Sequence, residues 1–554
     1  MAAPSARLVG AINRPLPAAA ALLAIYVALS LCMDPGGYLG TDTGAKVATL
    51  EAMDRSGSAR PDVGYWAEQW DPVGEVHPLY QSKRLDDGSW VAVTTLPMLE
   101  AALPLYAVGG YRAALLLPML GAIGCAAAAR ALARRLGHPD GWLVFWVVGL
   151  GSPLALYAID FWEHSLGAAA VLTAVVLLLD VVERRASWWQ PIVAGLLLGG
   201  AAALRTEAIV YALTAVGTVT TLMALRWREL TRSITVGAAA VAGFGVAWAA
   251  NRALEIYVGG ASRTQRATGA ATSATRDAAG RAGDRLNEGL VTLLGMKGDT
   301  ASSWVIGIGV VGALLMAVRA DRKGDALMTK LSFVLAGAVY LAAVLTDFAF
   351  IPGLIPAFPL ALAAFGVRRR QAHAIVLSIA TIALPIVWAF QFVGGAGPQW
   401  GGRYTLSSSL LLGVLGIVAL SIASPTLRRG FIGLSSVLAV TGIVWVGVRT
   451  RSVDELFDDL GSVEADVLIM RDAFLLREGG PILLDRHWLT SAGEDQFARA
   501  IEVAVASGAR VVAVVEPGGA SAPPSVIPTG WVEEDRMLFD LTGEVIGVVT
   551  YRVP

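Results

Sequence analysis

The chain has 554 residues, of which 55% are hydrophobic and only 16% charged, where a soluble globular chain carries about 25% charged residues. Its net charge of -1 excludes the bulk basic field of a nucleic-acid binder, and its two cysteines, Cys32 and Cys125, lie in apolar runs and exclude a disulfide framework or a cysteine-based zinc site. With a mean hydropathy of +0.61 the composition is built for lipid, and the preference for arginine over lysine, with heavy use of alanine and glycine, is that of a GC-rich bacterial genome.

In chain order, the first apolar run covers about 16–33, after Arg7 and Arg14. It is longer than a signal core, and Cys32 follows Leu31 rather than a small residue, so it reads as an uncleaved first span. A loop of about 60 residues follows, 34–94, with Asp42, Lys46, Asp62, Trp66, Trp70, Asp71, His77, Lys83, Arg84 and Trp90. Loops of that length are functional or disordered, and the aromatic content argues against disorder. The stretch 94–108 is short for a span and reads as re-entrant or interfacial. Further spans are expected near 112–132, 141–159, 165–183, 190–204, 208–225 and 233–254. A second long loop, 255–302, contains Arg263, Arg266, Arg276, Arg281 and Arg285, a solvated face or a seat for anionic headgroups. Spans then resume near 302–318, 329–346, 349–367, 373–390, 405–423 and 430–448, about thirteen in all, with no internal repeat.

Loop charge supports this count. With the N-terminus inside, the inner loops contain Arg130/Arg134/Arg135, Arg184/Arg185, Arg226/Arg228/Arg232, Arg319/Arg322/Lys323, Arg368/Arg369/Arg370 and Arg428/Arg429, as the positive-inside bias requires. An odd count leaves the segment 450–554 outside. Its short β-like runs "ADVLIM", "PILLD" and "RVVAVVEP", the helical "EDQFARAIEVAVAS" and the hairpin-like "RMLFDLTGEVIGVVTYRV" read as a small α/β domain. The expected organisation is therefore a polytopic helical membrane domain, 1–449, and an extracytoplasmic α/β domain, 450–554, in a bacterial plasma membrane.

The spans carry almost no charge at mid-depth; Asp180 and Arg252 lie near span ends. A charge at the bilayer centre costs roughly 2.5–3.5 kcal/mol, which transporters accept for ion relays. Here the polar chemistry gathers at one face, which favours a surface-facing active site. In "GYLGTDTGAK" Thr41 or Asp42 can cap a helix running through "GAKVATLEAM", whose apolar spacing suits the interface. Asp42 is a plain cap or a general base held ionised by the helix dipole. In "DFWEH", Asp160, Glu163 and His164 share one helical face at i, i+3 and i+4, with too few ligands for a metal; the alternative gives Trp162 to the interfacial belt and Glu163 to a helix cap. In "LRTEA", Arg205 and Glu207 are a polar hairpin tip, or Arg205 holds a phosphate. "QWGGRY" offers Arg403 in the same role, with Trp400 as a stacking surface and Tyr404 beside it. Trp66, Trp70 and Trp90 stack on sugars or anchor in the interface, and His77 is structural.

These motifs, "GYLGTDTGAK" after the first span, a long first outer loop, "DFWEH" heading the fourth span and "QWGGRY" before a late one, resemble the GT-C superfamily of membrane glycosyltransferases. The likeness covers about 1–450 and is greatest to bacterial dolichyl-phosphate-mannose-type mannosyltransferases. The resemblance implies a polyprenyl-phosphate-sugar donor, an outer-face reaction with inversion, and a glycan, lipid or protein acceptor. It implies Asp42 as the catalytic acid, with Lys46, Asp160, Glu163, His164, Arg205, Glu207, Trp400, Arg403 and Tyr404 about the substrates. "TDT" supplies one acid where the family often has a pair, so no metal and no other cofactor is expected. Membrane lipids are expected partners and nucleic acid is not. The competing readings are a lipid-linked glycan ligase, a flippase of cell-envelope polysaccharide, a lipid phosphatase, and a scaffold that binds wall polymer.

Overall fold

The computed structural model describes residues 13–80, 82–92, 95–139, 141–183, 187–226, 228–278, 289, 292–296, 300–346, 351–366, 371–390, 400–519 and 527–554. The fold is polytopic and helical, and the chain is a multi-pass membrane protein. Among the described residues eight helices are long and apolar enough to cross a membrane, and Pro15–Leu31 and Gln190–Leu204 are shorter apolar helices. Two compact units divide the chain. One comprises 1–30, 116–253 and 267–444; the other comprises 31–115, 254–266 and 445–554.

In the first unit, helices Leu116–Arg135 and His164–Val182 pack side by side. Gly121 permits the approach: a Cβ there would lie 2.6 Å from the Leu166 backbone nitrogen. At their other ends Arg135 and Asp180 form a two-bonded ion pair, Nε to Oδ1 at 2.7 Å and Nη2 to Oδ2 at 2.9 Å, so the acid near a span end is neutralised. Two expected spans are broken instead. The run 141–159 forms Trp142–Leu150 and Leu154–Ala158, interrupted at Gly151-Ser152-Pro153. Among its described residues the run 349–367 forms a short strand, Ile351–Pro352, the brief helices Leu354–Ala357 and Leu360–Ala363, and a 3₁₀ turn, Ala364–Gly366. Pro352, Pro356 and Pro359 each remove a backbone donor, which outweighs the apolar composition. The span expected to stop at 254 continues as one helix, Leu230–Ala278, so the first half of the second long loop is helical. Its remainder, with Arg281 and Arg285, lies outside the described residues, as do the side chains of Arg263, Arg266 and Arg276.

The second unit is built on a five-stranded sheet. Its strands are β1 (Val467–Met470), β2 (Trp488–Thr490), β3 (Val511–Pro517), β4 (Val532–Leu541) and β5 (Glu544–Arg552), in the order β2-β1-β3-β5-β4. The pairs β1/β2 and β1/β3 are parallel; β3/β5 and β4/β5 are antiparallel. All four residues of β1 are buried, because both faces of the sheet are covered. Leu468 and Met470 face a core with Ala45, Ala48, Val453, Phe457 and Leu460. Val467 and Ile469 face the opposite core, with Phe497, Ile501 and Ala504 of helix Glu494–Ala506 and Ala67 and Val76 of the first loop. The loop and the C-terminal segment thus fold as one body, where a boundary at 449/450 was expected. Apolar residues in the loop give the reason: each face of the sheet needs them as cover. The stretch 94–108 is part of a helix in its own right, Leu96–Ala114, kinked at Gly109 and Gly110.

Candidate active site

Three helix ends meet in the first unit. Glu163 stands at the N-cap position of His164–Val182, and Glu207 at that of Ala208–Thr221. Arg205 follows the last residue of Gln190–Leu204 and turns the chain with extended backbone. Each charge suits its place, carboxylates at helix N-termini and a cation at a C-terminus. Arg205 bridges the two acids, Nη1 to Glu163 Oε1 at 2.9 Å and Nε to Glu207 Oε1 at 3.0 Å. Side-chain exposure is 14% for Arg205, 1% for Glu163 and 7% for Glu207, so the triad is desolvated and its members depend on one another.

Aromatic rings surround this triad. His164 is buried between Tyr157, at 5.3 Å between centroids, and Trp162, at 4.7 Å, and its Nε2 is 4.0 Å from Glu207 Oε1. Arg403 reaches the same place from a distant part of the sequence. Gly401 and Gly402 have φ of 81° and 74°, which favours glycine, and a Cβ at Gly401 would lie 2.6 Å from Pro153 Cγ. The turn sets the Arg403 guanidinium over Tyr404 at 4.6 Å and Trp162 at 5.1 Å, while Arg205 lies 5.1 Å from the Tyr404 ring. A small cavity of ≈ 10 Å³, about the space of one water, is lined by His164, Arg205, Glu207, Tyr211, Arg403 and Ser407.

Several expected roles change here. Trp162 is wholly buried, so it belongs to no interfacial belt. Trp400, expected as a stacking surface, is 2% exposed and packs against Tyr340 and Gly442, while its carbonyl accepts from Tyr157 Oη at 3.1 Å. Asp160 is buried and its Oδ1 accepts from the Phe161 N–H at 2.8 Å, which makes it a turn former. Among the described residues no three His, Cys, Asp or Glu side chains gather as metal ligands. Residues 394–399 of the glycine-rich loop lie outside the described residues.

Asp42 and Lys46 belong to the second unit. Helix Thr41–Ser56 starts after Gly40, with Asp42 in its first turn and Lys46 one turn on. This helix is covered by protein from Thr43 to Leu50, with Lys46 only 3% exposed, so it does not lie in the interface. Ala45 and Ala48 belong to the sheet core, and Val47, Leu50 and Met53 are wholly buried. The Asp42 side chain stays 32% exposed, with Oδ1 3.6 Å from Arg477 Nη2. Gly44 packs flat against the end of the short helix Ala473–Arg477: a Cβ there would be 1.9 Å from the Arg477 carbonyl oxygen. Arg477 is the residue that sequence reasoning passed over, its only signal being an Arg-Glu pair before Gly-Gly-Pro. Its neighbour Glu478 accepts from Arg449 Nη2 at 2.8 Å, and burial pushes the Glu478 carboxyl above its ordinary range against the pull of Arg449.

Two rings of the first loop, Trp90 and His77, are spoken for. Trp90 is buried against Tyr65 and His77. Trp66 donates to the Trp488 carbonyl at 2.9 Å and stacks on His487 at 4.4 Å. His77 is structural: Nδ1 accepts from the Leu79 N–H and Nε2 faces the Gly64 carbonyl, both at 3.0 Å. Asp71 accepts from Tyr65 Oη and the Val76 N–H.

Helix-end charges clustered among rings, in a chain with this many apolar helices, define a polytopic membrane protein with a buried polar site. Among solved structures the chain is similar to ArnT from Cupriavidus metallidurans bound to undecaprenyl phosphate, with 13% identity, a TM-score of 0.47 and coverage of 96% of this chain and 97% of that one. It is similar also to the Archaeoglobus fulgidus oligosaccharyltransferase in complex with Zn and sulfate, with 13% identity, a TM-score of 0.45 and coverage of 89% and 67%. The apo state of the same ArnT gives 12% identity and a TM-score of 0.45. At these values the likenesses are too weak to carry a site or an activity across. No protein-family model and no curated protein matches the chain.

Proposed function

We propose that the chain is a membrane glycosyltransferase that moves a sugar, mannose or an arabinofuranose-like pentose, from a polyprenyl-phosphate carrier to a glycan, lipid or protein acceptor. The reaction takes place on the outer face, with the N-terminus cytoplasmic and the C-terminal domain, 450–554, extracytoplasmic. The observation that carries the reading is the convergence of Glu163, Arg205 and Arg403 from three separate stretches, at helix ends, among rings. A guanidinium flanked by aromatic faces suits a phosphate with a greasy tail. Arg403 takes that part. Arg205, already bonded to two carboxylates, supports the site's geometry and offsets part of their negative charge.

Asp42 is the general base. A carboxylate in the first turn of a helix is favoured as an anion, and its partial exposure leaves it open to an acceptor hydroxyl. It removes the hydroxyl proton as the oxygen attacks the anomeric carbon, and the lipid phosphate leaves with the bonding electron pair. One displacement inverts the anomeric centre. No resident metal is invoked.

Transfer from a radiolabelled polyprenyl-phosphate monosaccharide tests the reading. Asp42→Asn is expected to lower turnover by about 10² or more, the usual worth of a general base, with donor binding retained. Arg403→Ala is expected to weaken donor binding. Near-parental turnover in Asp42→Asn would remove Asp42 from the chemistry. Transfer of a whole preassembled glycan, with no monosaccharide transfer, would favour a ligase, and translocation without transfer a flippase.

A further inference from the structure

The second unit contains a groove that the reaction just described does not use. It consists of a cavity of ≈ 620 Å³ and one of ≈ 510 Å³, both lined by Trp66, His487 and Asp466. Each is in the size range of small-ligand sites. Tyr65 and Asp485 line the first, and Trp70 lines the second.

We infer that this groove binds a neutral oligosaccharide, the glycan arm of the acceptor. The choice of a glycan rests on the transferase reading; the groove's chemistry fits it independently. A sugar ring presents an apolar C–H face and an equatorial rim of hydroxyls. It needs flat aromatic surface and fixed polar groups beside it. Trp66 and His487 supply a stacked pair, 22° from parallel, with His487 exposed on its outer side. Trp70 continues the aromatic floor, 6.2 Å from Trp66 and inclined by 57°. These rings are held in place: the Trp66 indole is bonded to the Trp488 carbonyl, and Trp70 packs against the core that contains Phe497 and Ile501. Pre-set surfaces cost little to order on binding.

Asp466 supplies the fixed polar edge. It is exposed, yet its Oδ2 accepts from the N–H groups of Arg510 and Val511 at 2.8 and 3.0 Å, which hold its carboxyl below the usual range. In the first cavity charge argues against an anionic ligand, while the exposed Arg510 borders the second. Arg55 is bonded to Glu51 and Asp485. Arg486 is spent on the carbonyls of Leu460, Gly461, Val463 and Ala465.

The test uses the full chain in lipid nanodiscs. The probes are a linear mannotetraose, a linear arabinofuranose tetrasaccharide and, for the protein-acceptor alternative, a neutral decapeptide. Tryptophan fluorescence is expected to change saturably with one of the tetrasaccharides and not with the peptide. Trp66→Ala should abolish the response, but it also removes a structural hydrogen bond. His487→Ala leaves that bond in place and is expected to weaken binding about three- to tenfold, the worth of one aromatic face. The inference is overturned if neither tetrasaccharide binds, if His487→Ala binds like the parent, or if the peptide competes for the groove. The two readings separate in the same preparation. Tetrasaccharide binding with no transfer from any polyprenyl-phosphate sugar would remove the catalytic reading and leave the groove standing. Transfer that depends on Asp42, with no tetrasaccharide binding, would do the reverse.

Discussion

Replacing Arg205 by alanine tests the charged triad most directly. The substitution removes two hydrogen bonds, to Glu163 at 2.9 Å and Glu207 at 3.0 Å, from carboxylates that are almost without water. Taking one partner out of a buried ion pair costs about 3–5 kcal/mol, because the remaining charge stays desolvated. Here one cation serves two acids, so the upper part of that range is expected. Denaturant titration of the full chain in mild detergent measures it. The triple substitution Arg205→Ala, Glu163→Gln, Glu207→Gln removes the orphaned charges as well and should regain most of the stability. Donor binding should fall in the single variant, where two carboxylates lose their bridging cation, and return with stability in the triple variant, which has no charge at these three positions. A single Arg205→Ala variant within about 1 kcal/mol of the parent, a loss ordinary for surface positions, would refute the reasoning.

Two further outcomes follow from the second unit. Burial pushes His77 down to about 4, so between pH 6.5 and 4 the unfolded chain binds a proton that the native chain does not. Its contribution is intact above pH 6.5 and is lost as pH falls, by about 3 kcal/mol at 1.36 kcal/mol per unit; the stability-pH slope of His77→Gln should be flatter, and equal slopes would contradict the assignment. Gly44→Ala forces a methyl against the Arg477 carbonyl, an overpacking worth about 1–3 kcal/mol, and should lower transfer with stability as Asp42 and Arg477 are pushed apart; unchanged melting and turnover would show that the contact gives way.

Apolar run length made most helices legible. The two runs that broke, 141–159 and 349–367, carried their own warning in Gly-Ser-Pro and in three spaced prolines. Hydropathy averages over such breaks, whereas backbone sterics do not. The short motifs singled out Glu163, His164, Arg205, Glu207, Arg403 and Tyr404, which lie together in the fold because charge in an apolar chain has few places to go. The same reasoning failed for tryptophan, since Trp162, Trp400 and Trp90 are as much at home in a core as at a membrane surface. Arg477 could not be found from Asp42, because pairing across more than 400 positions leaves no local trace.

The interleaving of the first loop with the C-terminal sheet sets an order of events during biogenesis. Helix Thr41–Ser56 emerges early, but the strands that shelter its apolar side are made roughly 400 residues later. At ordinary synthesis rates that interval is about 20–80 s. Throughout it Ala45 and Ala48 have no sheet to rest on. The nascent chain must therefore be guarded until β1 to β5 close over it, and a ribosome stalled before β1 would release a membrane-inserted protein in which Asp42 has no fixed position.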